Sequence, residues 1–343
     1  MSERLEDIAA AMMAEGQGIL AADESSGTIK KRFDTIGLTS TEDARRDYRE
    51  MLFRSKQAMT DYISGVILYD ETIRQKAADG TPLVELLKAT GSVPGIKVDM
   101  GAKPMAGCPD EKLTEGLDGL SGRLKEYYEL GARFAKWRAV IDISRSTPSW
   151  TALRANAHAL ARYAILCQEA GIVPIVEPEV IMDGPDADHT IDRCYEVTEW
   201  TLKTVFDELY EAHVSLEGMI LKPNMVIAGQ KCATQASPEE VAAKTIKCLK
   251  ACVPPAVPGI AFLSGGQSDE AATQHLSLMN AMGGLPWTLT FSYGRALQAA
   301  AIKAWGGKPE NVAAGQRAFT HRAKMNSLAS LGTWSAEQER SAA

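Results

Sequence analysis

Glu217-Gly-Met-Ile-Leu-Lys222-Pro-Asn224 is an apolar run that ends on a single lysine and is closed by Pro223. Strands buried on both faces read as unbroken apolar runs, so Met219 to Leu221 fits an inner parallel strand with Lys222 at its carboxyl end. Burial there disfavours the ammonium form, which frees an amine able to attack a carbonyl. A lysine snorkelling from a strand end to water has the same local sequence, and only the rest of the chain separates the two readings.

Working outward, seven more runs have this form: Gly18-Ile-Leu-Ala-Ala-Asp23, Gly65-Val-Ile-Leu-Tyr69, Gly95-Ile-Lys97-Val-Asp99, Phe134-Ala-Lys136-Trp-Arg138, Val173-Pro-Ile-Val-Glu177-Pro-Glu179, Ala261-Phe-Leu-Ser264-Gly-Gly266 and Leu289-Thr-Phe-Ser292-Tyr-Gly294. Helical segments alternate with them. A short amphipathic one carries Leu5, Ile8, Ala9 and Met12; Ser40-Thr-Glu-Asp43 is a capping-box start for a helix to about Thr60; Ser237-Pro-Glu-Glu240 supplies an N-cap, a first-turn proline and a capping glutamate. Ser25 to Arg32 reads as a polar loop. Eight strands alternating with helices predict an α/β protein, a closed (β/α)8 TIM barrel in a single domain over 1–343. An open doubly wound sheet is the alternative, but no G-x-G-x-x-G opens a helix after the first strand. The tail 335–343 is small and polar and is expected to be mobile.

At 343 residues, 37 Lys and Arg against 44 Asp and Glu leave a net charge of −7. With no long basic run, nucleic acid and anionic membranes are not expected as partners, so an anionic ligand must be held locally. The cysteines Cys108, Cys167, Cys194, Cys232, Cys248 and Cys252 form no C-x-x-C pair. They fall in helix-like stretches, as reduced thiols of a cytoplasmic protein do; Cys248 and Cys252 share a helix face and read as packing. The N-terminus lacks the basic-then-apolar pattern of a signal peptide, and no apolar run approaches membrane-spanning length, so a soluble, unexported protein is expected.

Active sites of such barrels form at the carboxyl ends of the strands, where this chain puts its polar residues. Side chains alternate along a strand, so Lys136 and Arg138 share a face, as do Glu177 and Glu179, and Lys97 and Asp99. Lys97, Lys136, Arg138, Lys222 and Arg295 are balanced by Asp23, Asp70, Asp99, Glu177 and Glu179. A balanced mouth suits acid/base chemistry, although a structural ion-pair network contains the same residue types. At the last two strands, Ser264, Gly265 and Gly266, and then Ser292, Gly294 and Arg295, suit a phosphate. Glycines let backbone N–H groups approach an anion, this is the usual phosphate locus of the barrel, and Arg295 adds a bidentate grip. Ser-Gly-Gly alone is a plain turn; its placement favours phosphate.

These motifs, with Gly18 to Ser25, Leu221-Lys-Pro-Asn-Met225, Ala261 to Gln267 and Leu289 to Leu297, resemble those of the class I fructose-1,6-bisphosphate aldolases in the family's order along nearly the whole chain. The resemblance implies a (β/α)8 barrel, usually a cytosolic homotetramer of glycolysis and gluconeogenesis. It also implies a sugar-phosphate substrate and a lysine Schiff base, with no metal and no cofactor. By motif, Lys222 resembles the Schiff-base lysine, Glu177 the acid/base that dehydrates the carbinolamine, and Lys136 its positively charged neighbour. Asp23 resembles the carboxylate that takes the C4 hydroxyl proton during carbon–carbon cleavage, and Glu179 a supporting acid. The phosphate beside the ketone falls to Ser264, Gly265, Ser292, Gly294 and Arg295; Ser25, Arg32, Lys97 and Arg138 match positions that hold the second phosphate or the open chain. Thr28 stands where many relatives have serine. The tail ends Gln338-Glu-Arg-Ser-Ala-Ala343, without the terminal tyrosine of the animal enzymes, which puts tail-assisted proton exchange in doubt.

Three rivals stand beside this reading. Other lysine-imine barrels, such as transaldolase-like or deoxysugar-phosphate aldolases, lack the second phosphate site that Lys97, Arg138 and Arg32 imply. A metal-dependent aldolase needs clustered ligands, whereas His158, His189, His213, His275 and His321 are dispersed. A catalytically idle binding scaffold has no need of Asp23, Lys136, Glu177 and Lys222 together.

Overall fold

The computed structural model describes residues 3–144, 146–184 and 186–340. Eight parallel strands close into a barrel: β1 (Gly18–Ala22), β2 (Ile63–Leu68), β3 (Val93–Lys97), β4 (Phe134–Ile141), β5 (Val173–Val180), β6 (Ile220–Leu221), β7 (Gly259–Phe262) and β8 (Thr288–Tyr293). Each strand pairs with its neighbour in sequence, and β8 pairs with β1. The fold is the (β/α)8 barrel that the eight runs predict, with boundaries shifted by a few residues.

The inward face follows from alternation. Ile19, Ala21, Ile67, Phe134, Val173, Ile175, Ile220 and Ala261 form one buried cluster, plugged by Ile8, Ala9 and Met12 of the helix Leu5–Met12 and by Met13. Continuing the inward series by two residues from Ala21, Phe134, Ile175 and Ile220 reaches Asp23, Lys136, Glu177 and Lys222. The interior therefore changes from apolar at the plugged end to charged at the mouth. Phe134 fits because β3 beside it and β2 beyond are bare there: a Cβ built on Gly95 meets its ring at 2.3 Å, and one on Gly65 at 3.1 Å. On the outer face of β4, Trp137 packs its ring 5.6 Å from that of Tyr163 in the helix Trp150–Glu169.

Several expectations need correction. The supposed polar loop after Ser25 is a helix, Ser26–Asp34, because Ile29 and Phe33, four residues apart, bury one face in the core. Thr41, not Ser40, caps the next helix, Glu42–Phe53, its side chain accepting from Ala44 N; a separate helix, Lys56–Asp61, follows after the break at Arg54 and Ser55. Ser237 caps Pro238–Cys252 as expected, accepting from Glu240 N. The described cysteines are free, but Cys108 and Cys232 lie outside helices. Within the tail, Ala336–Arg340 forms a short helix, and both oxygens of Glu339 accept from Arg322 Nη1 at 2.6 Å; residues 341–343 lie outside the described ones. Among the described residues no helix is long and apolar enough to cross a membrane.

Two glycines give opposite expectations. Gly95→Ala forces a methyl into the Phe134 ring and should lower the unfolding free energy by about 1–3 kcal/mol. Gly122→Ala, inside the helix Leu120–Glu129 with nothing within 4 Å of the new methyl, should raise it by roughly 0.5–1 kcal/mol. Urea unfolding of both variants checks the pair, and a neutral Gly95→Ala would refute the packing described for Phe134.

Candidate active site

The fourteen residues given a role by resemblance all line one cavity of about 630 Å³ at the carboxyl ends of the strands, whereas Gly266 does not. Register places its centre. Leu221 pairs with Val176, and Lys222 N donates to Val176 O at 2.8 Å, so Lys222 lies beside Glu177. Lys222 is 3% exposed, and its Nζ is 3.2 Å from Glu177 Oε1. Lys136 Nζ is 3.3 Å from the other oxygen, Glu177 Oε2, and 2.8 Å from Asp23 Oδ2. Two ammoniums and two carboxylates thus alternate across β6, β5, β4 and the end of β1. Glu177 Oε2 is buried and accepts no hydrogen bond; the Lys136 ammonium at 3.3 Å is its ion-pair partner.

Their ionisation is set jointly. Burial opposes the charge on Asp23, but the ammoniums of Lys136, Lys222 and Lys97 outweigh it and hold the carboxyl below its usual range. Glu177 is lowered in the same way, burial being overcome by Lys136, Lys222 and Arg138. Lys136 is raised, since Asp23, Glu177 and Asp99 outweigh its own burial. Glu179 goes the other way: burial raises it, and Arg138, whose Nη1 is 3.1 Å from Glu179 Oε2, offsets only part of that. Two carboxyls on one face of β5 are pushed apart, an arrangement suited to moving protons. At the rim Lys97 Nζ is 3.4 Å from Asp99 Oδ1, and Asp99 is fixed by hydrogen bonds from Gly101 N and Arg138 N.

The ends of β7 and β8 make the cradle. Gly265 has φ +54°, which disfavours any side chain, and Arg295 Nη2 donates to its carbonyl at 2.8 Å, tying the two loops together. Gly294 precedes the helix Arg295–Trp305, whose first N–H groups lack intrahelical partners. Ser292 Oγ is buried and without a partner. Ser25 Oγ lies 3.1 Å from Thr28 Oγ1 in the wall that follows β1. Arg32 is carried here by the unforeseen helix, with Nη2 3.3 Å from a Cβ built on Gly294.

Asp70 does not belong to the mouth. β2 ends at Leu68 and the chain turns into the helix Asp70–Arg74, where Asp70 pairs with Arg74 at 2.9 Å and accepts from Tyr127 Oη at 2.9 Å. The cavity residues that escaped the sequence reading include Lys31, Asp183, which follows β5, and Glu24, which sits beside Asp23 and points to a buried network instead of continuing the strand face. An acidic pair at a strand end was the available signal for Glu24. Among the described residues no group of three or more His, Cys, Asp or Glu side chains is placed to hold a metal ion.

Comparison with known proteins gives concordant matches. The family model for class-I fructose-bisphosphate aldolase, the glycolytic type, matches residues 4–343. A probable fructose-bisphosphate aldolase class 1 of Xanthomonas campestris is 59% identical, over 97% of this chain and 98% of that one, and the fructose-bisphosphate aldolase of Echinococcus multilocularis is 52% identical over 98% and 92%. The structure of the Plasmodium falciparum fructose-bisphosphate aldolase, in complex with TRAP and a small molecule inhibitor, superposes with a TM-score of 0.93 at 48% identity, over 97% of this chain and 95% of that one. With its barrel and these near full-length matches, the chain belongs to the class I fructose-bisphosphate aldolase family and is a lyase that splits fructose 1,6-bisphosphate at a carbon–carbon bond.

Proposed function

We propose that the reaction runs through a Schiff base on Lys222. The observation that carries this is the setting of Lys222, buried at a strand end in the cavity lining with its nitrogen 3.2 Å from Glu177 Oε1. Glu177, ionised in the free protein, takes a proton from the Lys222 ammonium. The neutral amine adds to the C2 ketone, and Glu177 returns the proton to the carbinolamine hydroxyl, which leaves as water. Asp23 then removes the C4 hydroxyl proton as the C3–C4 bond breaks, and the bonding electrons flow to the iminium to give an enamine. Glyceraldehyde 3-phosphate departs; C3 gains a proton in place of the one Asp23 took and then gives up, and hydrolysis of the imine by one water releases dihydroxyacetone phosphate and restores Lys222.

Lys136 stays an ammonium throughout and keeps Asp23 and Glu177 ionised in the free protein, ready to take up their protons. Glu179 holds Arg138 and serves as the supporting acid. Ser264, Gly265, Ser292, Gly294 and Arg295 bind the phosphate beside the ketone, while Ser25, Arg32, Lys97 and Arg138 bind the other phosphate and the open chain. The family resemblance supports the remaining parts of this reading: one barrel domain over 1–343, no metal or cofactor, a cytoplasmic homotetramer, and service in both glycolysis and gluconeogenesis.

Imine formation exchanges the ketone oxygen of dihydroxyacetone phosphate with water. In ¹⁸O water the protein should catalyse that exchange, Lys222→Ala should lose it together with at least about 10³-fold of turnover, and Glu177→Gln should slow it by about 10²–10⁴-fold with KM little changed. Turnover without exchange would reject the imine.

Because Asp23 and Glu177 are held below the ordinary carboxylate range, kcat/KM should keep its acid limb below about pH 4.5 as far as these groups set it. Lys136→Met removes an ammonium near both, so the limb should move up by at least about one pH unit, a shift that pH–rate profiles would detect. An unmoved limb would show that Lys136 does not govern their ionisation. Dialysis against a strong chelator should leave turnover unchanged; a loss restored by zinc would contradict the class I chemistry.

A further inference from the structure

Glu24 stands where four elements meet, and no step above uses it. It is 6% exposed. Its Oε1 lies 2.5 Å from Arg32 Nη1 and accepts from Gln298 Nε2 at 2.9 Å; its Oε2 lies 3.4 Å from Nη2 of Arg49, itself 1% exposed. The same partners grip the strand end around Asp23: Gln298 Nε2 donates to Ala21 O at 2.7 Å, and Arg49 donates to Ala22 O at 3.3 Å and to Glu24 O at 3.0 Å. Tyr48 Oη, in the same helix as Arg49, donates to Gln298 Oε1 at 2.9 Å and fixes which way the amide faces.

This network fixes a carboxylate that in turn pairs with Arg32 at the cavity wall. The Arg32 side chain keeps 22% of its surface and brings its far nitrogen near Gly294, so one edge of the guanidinium is held by Glu24 and the other faces the cavity. A free arginine would pay rotamer entropy on gripping a phosphate; one anchored in place has already lost it.

We propose that Glu24 is a positioning residue that fixes the Arg32 guanidinium in the orientation that binds a substrate phosphate. This rests on the reading that Arg32 is a phosphate ligand. Glu24 works on substrate affinity through Arg32 and takes no part in proton transfer.

Steady-state kinetics with fructose 1,6-bisphosphate tests it on Glu24→Gln, Glu24→Asp, Arg32→Met and the double variant Glu24→Gln/Arg32→Met. Glu24→Asp keeps the charge beside buried Arg49 and so provides a folded variant if Glu24→Gln is too unstable to purify. Each Glu24 single variant should raise KM about tenfold with kcat within about twofold, and the double variant should be no worse than Arg32→Met alone, since no guanidinium remains to be placed. If Arg32→Met raises KM but the Glu24 variants only lower the unfolding midpoint, Glu24 is structural and the proposal is wrong. Fully additive losses in the double variant, or a fall in kcat at constant KM, would also overturn it. An unchanged KM in Arg32→Met would instead remove Arg32 from the phosphate site, and the proposal with it.

Discussion

Four buried charges determine what this barrel can do. Asp23, Lys136, Glu177 and Lys222 lie in a water-poor mouth where any one of them alone would be driven neutral, since the desolvation cost of an isolated buried ion exceeds what folding can supply. Their contacts of 2.8 to 3.3 Å reverse that outcome for the carboxylates and for Lys136. Glu177 is the link, touching one ammonium with each oxygen. A proton moved from Lys222 to Glu177 therefore stays within a neutral cluster, with Lys136 still present to balance Asp23.

The rest of the fold serves to place that cluster. Closure of the barrel in register sets Lys222 beside Glu177 and pairs Arg138 with Glu177 across the strands. The apolar plug beneath, built on the helix Leu5–Met12 and on Phe134 lying against glycine, supplies the buried interior above which the charged groups sit. Around the rim a further layer holds the groups that meet substrate: Asp99 through Gly101 and Arg138, Arg295 through Gly265, and Arg32 through Glu24.

Much of this is readable along the chain because parallel barrels write strand and site in one stretch. Each strand is an apolar run, and on β1, β4, β5 and β6 the inward series ends on a functional residue, so Lys222 or Glu177 is visible without knowing what lies across from it. What spans distant segments is not visible. Ile29 and Phe33 turn a polar-looking loop into a helix only because the core has room for them, and that helix brings Arg32 to Gly294. Gln298 meets Glu24 across 274 residues, so nothing local announces the contact. Asp70 misleads for the opposite reason: it follows an apolar run as Asp23 does, but a helix begins at once and carries it away from the mouth. The choice of Thr41 over Ser40 as the cap depends on which hydroxyl reaches Ala44 N, which the spacing of two adjacent hydroxyls leaves open.

The account turns on one covalent bond at one nitrogen. Borohydride added to the protein with dihydroxyacetone phosphate should reduce the imine to a stable secondary amine, and peptide mass mapping should find the added mass on Lys222, with Lys136 and Lys97 unmodified. Label on Lys136 would move the nucleophile to β4 and overturn the roles assigned to the cluster. No label from a preparation that turns over would contradict the imine altogether.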